Sequence, residues 1–324
     1  MRMELTAASQ TTILKKRRPL NRFIRNVVRY RAMLLMAAPG ILYLLLNNYL
    51  PMFGTAIAFK NVNFTKGIWK SDWVGLKNFE FLFGTSDAFV ITRNTLLYNL
   101  VFIVVTLVCS VALAIMLNEV RLKLWRSFYQ SALLLPYFLS AVVIAYLVYS
   151  LLSSEYGLLN KSVLPFFGME PVSWYHETKH WPLILVIVNT WKSIGYYCVI
   201  YIAAIVGIDH EYYEAALIDG ASKWQQVKSI TVPLLTPVII TMVLLQIGRI
   251  FYADFGLFYQ VPMDSGLLYP VTNVIDTYVY RALLQLGDLG MASAAGLYQS
   301  VVGFILVMLS NLVVRKVNRD QALF

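Results

Sequence analysis

The chain has 324 residues, 59% of them hydrophobic and only 14% charged. A soluble chain of this length carries nearer a quarter charged residues, so the composition excludes an ordinary soluble enzyme and points to a membrane protein. The net charge of +10 does not signal nucleic-acid binding, because the basic residues cluster beside apolar runs, as the positive-inside rule requires.

Residues 1–31 carry Lys15, Lys16, Arg17, Arg18, Arg22, Arg25, Arg29 and Arg31, with Leu20, Phe23, Ile24, Val27 and Val28 at helical spacing. This reads as a basic interfacial segment on the cytoplasmic leaflet. A cleavable signal peptide is not expected, since no small-x-small site closes the next apolar run. Six runs near the ~20 residues that cross a bilayer follow, at about 32–52, 95–117, 131–152, 182–207, 234–253 and 292–314. Pro39 and Pro136 fall inside the first and third, where neighbouring helices can re-satisfy the backbone. Cys109 and Cys198 each sit in an apolar run without a C-x-x-C partner and read as small buried hydrophobes.

Six crossings put both termini on one side. Arg121, Lys123 and Arg126 between the second and third spans, and Arg315, Lys316 and Arg319 after the last, join the basic N-terminus on the expected cytoplasmic side. Among the outer segments, residues 60–93 are aromatic-rich and read as a short strand or turn followed by an interfacial helix, with Trp69, Trp73 and Phe79 near headgroup level. Residues 254–291, with six Gly or Pro among them, read as a partly re-entrant outer loop.

Ionisable groups inside spans are costly and mark function by default. Asn189, Lys192, Ser193 and Tyr196 fall at i, i+3, i+4 and i+7, on one face of the fourth span. Gln246 and Arg249 are i and i+3 on the fifth. Two bland alternatives stay open: Lys192 snorkels, or Arg249 pairs with Asp254 as a structural bridge near the outer surface.

The connector Asp209–Pro237 is the polar island of the chain. Asp209 is a candidate N-cap with Glu211 in the first turn. Tyr212, Tyr213, Ala216 and Leu217 recur at helical spacing, and Gly220 supplies an elbow. A second short helix is expected with Trp224, Val227, Lys228 and Thr231 on one face, closed by Pro233 and Pro237. Lipid-resting helices are rich in Lys and Arg, whereas here four acids (Asp209, Glu211, Glu214, Asp219) face Lys223 and Lys228. The connector therefore reads as a knob for a protein partner.

Glu214-Ala215-Ala216, Asp219-Gly220-Ala221, Ile230 and Pro233 resemble, in full spacing, the EAA loop of ABC importer permeases; the one departure is Val232, where that family usually has Leu. Residues 39–79 resemble the polysaccharide-type branch of sugar permeases, and VIVNTWKSIGYY resembles the sugar-contacting helix of maltose-type permeases. The resemblance, over roughly residues 32–320, implies an all-α polytopic protein with six transmembrane helices of the type I importer fold and a cytoplasmic coupling helix between helices 4 and 5 (residues 209–233). It implies a bacterial cytoplasmic-membrane protein, a second homologous permease in a heterodimer, two ATPase subunits that bind ATP and Mg, a solute-binding protein and an oligosaccharide substrate. Asn189, Lys192, Ser193, Tyr196, Gln246 and Arg249 fall on the family's substrate-contacting positions. The maltose-type site is neutral where this chain has Lys192 and Arg249, and a buried cation wants an anion, which suggests an acidic saccharide such as a uronate oligomer over a neutral one. No cofactor and no catalysis are expected in the chain itself. There is no G-x-x-x-x-G-K-[ST] loop, and His176, His180 and His210 lack metal-ligand spacing. An ion-coupled transporter would be expected to show internal repeats and midplane carboxylates; a membrane enzyme would need an acid/base pair. Neither pattern is evident.

Overall fold

The computed structural model describes residues 26–80, 84 and 86–317. The cations Lys15 to Arg25 of the N-terminal segment and Arg319 lie outside these residues.

The chain divides between Gly54 and Thr55 into two units. In the first, α1 (Arg31–Leu44) carries Pro39 in its interior and buries none of its residues. An apolar helix with nothing buried is at home in lipid rather than water. A widened turn at Leu45–Tyr49 and one more helical turn at Leu50–Met52 extend it.

The second unit starts with a hairpin. β1 (Lys60–Asn61) pairs antiparallel with β2 (Asp72–Trp73), Lys60 opposite Trp73. Lys60 is only 3% exposed, and its ammonium is satisfied locally. Nζ donates to the Trp69 carbonyl at 2.7 Å and lies 5.0 Å from the Trp73 ring centroid.

The helical body follows: α2 (Ser86–Asn118), α3 (Lys123–Leu134), α4 (Ala141–Leu152), α5 (Trp181–Val206), α6 (His210–Ile218), α7 (Lys223–Gln226), α8 (Val232–Ile247), α9 (Phe255–Gln260), α10 (Ile275–Leu284) and α11 (Leu289–Val317). Five helical stretches are long and apolar enough to cross a membrane, or six if α3 and α4 count as one broken span. Helices α2 and α5 form the central pair. At one end Tyr98 and Phe102 of α2 meet Trp181 and Leu185 of α5, Ile144 and Val148 of α4, and Leu257 and Phe258 of α9. At the other, Ala114 and Leu117 meet Cys198, Tyr201 and Ile205, with Leu235 of α8. Gly195 allows α5 to touch the end of α3: a Cβ there would lie 2.0 Å from the Leu133 carbonyl oxygen.

Three expectations need correction. The third span is not continuous, for α3 and α4 meet at 101°. Pro136 enters a tight 3₁₀ turn (Leu135–Phe138), Leu139 is extended, and Ser140 caps α4 by accepting from the Val143 N–H. The helix after the glycine elbow is not closed by Pro233 and Pro237, because helix runs unbroken from Lys223 to Ile247. A π turn at Val227–Thr231 resets the hydrogen-bond ladder just before Pro233, where a missing N–H costs little. That same stretch spreads the expected second face, since Trp224 is exposed while Thr231 is buried. The fifth span also ends at Ile247, six residues earlier than the apolar run suggested, so Arg249 sits in a turn.

Residues 254–291 are largely helical and contribute Leu257, Phe258, Val261, Leu268 and Val274 to the largest core cluster. Burial pins them where irregular polar backbone would not stay.

Candidate functional site

Helices α2, α5 and α8, with the α3–α4 break, enclose a cavity of about 500 Å³. Asn189, Ser193 and Tyr196 of α5, Gln246 of α8 and Arg249 after it all line it. A second cavity of about 1040 Å³ adjoins it, sharing Ser193 and Arg249 and adding Lys192, Asp254 and Asp276. All six residues read from the sequence as a site thus border one continuous space.

Their roles within it differ. Lys192 Nζ lies 2.8 Å from Asp254 Oδ2 and is neutralised there. The alternative pairing of Arg249 with Asp254 is therefore corrected: Asp254 takes Lys192. Arg249 has no carboxylate within ion-pair distance and no side-chain hydrogen bond among the described residues. It follows Gly248 at the C-terminal end of α8, where the helix dipole compensates part of its charge. The Gln246 Nε2 and Thr106 Oγ1 atoms facing this region are buried and without a hydrogen-bond partner. A buried amide or hydroxyl without a partner costs roughly 1–3 kcal/mol. Tyr196 stacks on Tyr137 with centroids 4.8 Å apart and planes 13° off parallel, and Tyr197 meets Tyr196 edge-on at 5.3 Å. Flat aromatic faces beside amides and hydroxyls suit a ligand with both apolar ring faces and polar edges.

Several lining residues escaped the sequence reading. Asn99 is a polar residue within the α2 run, a signal that could have been taken; its amide donates to the Tyr252 carbonyl at 3.2 Å. Tyr137 and Tyr252 come from breaks in the helices, which periodicity does not show. Asp276 comes from α10, and its Oδ2 accepts from the Ala253 N–H at 2.7 Å and Gln299 Nε2 at 3.1 Å. Burial pushes its carboxyl above the ordinary range, opposed by these two hydrogen bonds.

The second candidate site is the α6–α7 elbow. Asp209 caps α6, accepting from the Glu211 N–H at 3.0 Å. The helix ends in a Schellman motif: Ala221 N–H donates to the Ala216 carbonyl, Gly220 N–H to that of Leu217, and Gly220 takes φ +78°. Ser222 and Gln225 then form a capping box that starts α7. The sequence reading missed this cap, though S-x-x-Q is its written signature. Glu214, Ala215, Asp219 and Gly220 are exposed, Ala216, Ala221 and Ile230 half-buried, and Pro233 exposed. Leu217, Ile218 and Trp224 also stand in solvent, Ile218 at 86% and Trp224 at 75%. Acidic and large apolar side chains on one rigid projection are the composition of a protein-docking surface. The elbow is braced from behind by Tyr213 OH against Thr231 Oγ1 at 3.0 Å and by Lys223 with Glu119 at 3.1 Å.

Residues 106–319 match the family model described as "Binding-protein-dependent transport system inner membrane component". The chain is 33% identical over 317 residues, 98% of both chains, to the polygalacturonan/rhamnogalacturonan transport system permease protein YteP of Bacillus subtilis (strain 168). It is 32% identical to Protein LplB of the same organism, over 88% of this chain and 89% of that one. A crystal structure of a bacterial ABC transporter involved in the import of the acidic polysaccharide alginate superposes with a TM-score of 0.84 at 30% identity, covering 92% of this chain and 99% of that chain. A bacterial alginate ABC transporter in complex with an alginate pentasaccharide-bound periplasmic protein gives 0.82 at 30% identity, covering 91% of this chain and 98% of that chain. Five or six apolar spans on the type I permease fold and a polar cavity agree with the match over about two thirds of the chain: it belongs to the binding-protein-dependent inner membrane component family, as a non-catalytic permease subunit of a sugar or oligosaccharide ABC importer.

Proposed function

We propose that this permease moves an acidic oligosaccharide, of uronate type, and that Arg249 is the group that selects for its charge. The observation that carries the reading is the state of the two cations. Lys192 already has its carboxylate, while Arg249 presents an unpaired guanidinium to the same cavity as Asn189, Ser193, Tyr196 and Gln246. A planar guanidinium matches a carboxylate bidentately, which makes it the better selector of the two. The polysaccharides for which two relatives are named, polygalacturonan/rhamnogalacturonan and alginate, support the same chemistry.

In this reading the chain pairs with a second, homologous permease, and both termini and the elbow lie in the cytoplasm. A solute-binding protein delivers the sugar outside. Two ATPase subunits hold ATP and Mg, and one of them receives Glu214, Ala215, Ala216, Asp219, Gly220 and Ala221, with Ile230 and Pro233 setting the helix behind the elbow. Closure of the ATPases switches the cavity between outward and inward access, provided that ATP and sugar favour the same state.

The test is ATP hydrolysis by the reconstituted complex with its binding protein, comparing uronate and neutral oligosaccharides. Stimulation by uronates, falling at least about tenfold in Arg249→Leu, is expected, since a charge-assisted bidentate contact carries ~1.5–3 kcal/mol. Stimulation by neutral sugars that Arg249→Leu leaves unchanged makes Arg249 structural and removes the acidic assignment.

A further inference from the structure

The Lys192–Asp254 pair is asymmetric. The Lys192 side chain is 20% exposed and the Asp254 side chain 41%. Losing the partner therefore costs the lysine more than the aspartate, which stays wetted by the cavity. The aspartate also has a second task that does not need the lysine. Its Oδ1 caps α9 by accepting from the Leu257 N–H at 3.1 Å, while only Oδ2 holds Lys192. The other acid of the cavity makes no ion pair with Lys192, and Asp276 Oδ2 accepts from Ala253 and Gln299 instead.

Resting on the acidic-sugar reading above, we infer that Asp254 is a resident carboxylate that stands in for the substrate at Lys192 and makes its specificity conditional. A sugar carboxylate is drawn first by Arg249. A neighbouring one then replaces Asp254 Oδ2 at Lys192 Nζ, and the aspartate turns to water while keeping its cap on α9. No bond other than hydrogen bonds is made or broken. Asp254 thus lowers the affinity for a uronate oligomer that brings two neighbouring carboxylates and keeps the empty cavity from holding a stray anion on Lys192.

The experiment is equilibrium dialysis of labelled trigalacturonate against the assembled permease–ATPase complex in nanodiscs, without the binding protein. Asp254→Asn and Asp254→Ser both keep an oxygen for the cap. Each is expected to bind trigalacturonate about tenfold more tightly than wild type, the scale of one charge-assisted contact set free. The gain should vanish in Lys192→Gln/Asp254→Asn. Equal or weaker binding in both single variants, or a gain that survives in the double variant, overturns the exchange. If wild type binds trigalacturonate and loses it in Arg249→Leu, such a result sinks the exchange alone. If wild type takes maltotriose and no trigalacturonate, the acidic-sugar reading falls and the exchange falls with it.

Discussion

The cavity and the elbow hold similar residue types under opposite rules. Inside the cavity some charges and amides are answered: Lys192 by Asp254, Asp276 by Ala253 and Gln299, Asn99 by Tyr252. The groups left without partners among the described residues are there the informative ones: the buried Gln246 Nε2 and Thr106 Oγ1, and the Asn189 and Arg249 side chains that line the space. On the elbow Glu214, Asp219, Ile218 and Trp224 are exposed, and water makes their lack of partners cheap. What identifies the elbow is its shape, a capped helix, a left-handed glycine and a second capped helix, carrying apolar side chains that water does not favour. Function in a low-dielectric space is read from what is unsatisfied; function on a surface is read from what is held rigid.

The largest test of this contrast reverses one charge on the elbow. Glu214→Lys is expected to abolish sugar-stimulated ATP hydrolysis in the reconstituted complex while trigalacturonate binding stays within about twofold, since no described contact joins Glu214 to the cavity and distant sites act independently. Normal stimulation would refute docking through this face. A middle-sized effect comes from shape alone. Gly220→Val forces a β-branched residue to φ +78° and is expected to cost on the order of 1–3 kcal/mol locally. Coupling efficiency, ATP hydrolysed per sugar moved, should worsen, whereas Gly287→Val, also at positive φ but in the turn between α10 and α11, should leave it unchanged.

The smallest effect lies at the cavity. The folded protein holds the Asp276 proton more tightly than the unfolded chain does, because burial disfavours the charge. Stability is therefore fullest below the ordinary carboxylate range and falls as pH rises from there through the raised value. Asp276→Asn keeps an oxygen for Ala253 and Gln299 and should flatten that slope, with a Tm at pH 7 equal to or above wild type. A Tm that falls, or keeps the slope, would show that the charge itself is used.

The elbow was legible because it is local. A cap, a glycine and the starts of two helices lie within thirty consecutive residues; Ser222 was overlooked and the end and face of the second helix were misread. The face carrying Asn189, Lys192, Ser193 and Tyr196 was legible for the same reason, being one helix read at period 3.6. The partners of that face were not. Lys192 and Asp254 are 62 residues apart, and the turn that brings them together begins at Gly248, inside what looked like an unbroken apolar run. Proline misled in both directions. Pro233 and Pro237 look like terminators, yet the π turn before them lets the helix pass, whereas Pro136 looks tolerable, yet Ser140 offers a cap and the chain turns through 101°. A proline's effect depends on whether its neighbours supply another way to satisfy the backbone.

The unbroken helix from Lys223 to Ile247 has a mechanical consequence. Its 25 residues make a shaft about 37 Å long, with the elbow at one end and Gln246 within the last turn at the other. A continuous helix carries torsion along its axis, so whatever part of a twist passes the wide turn at Val227–Thr231 reaches the Gln246 amide. Along it the hydrogen-bond ladder departs from the α pattern at two places, the wide turn at Val227–Thr231, four residues from the Lys223 end, and Pro237, and twist is lost there first.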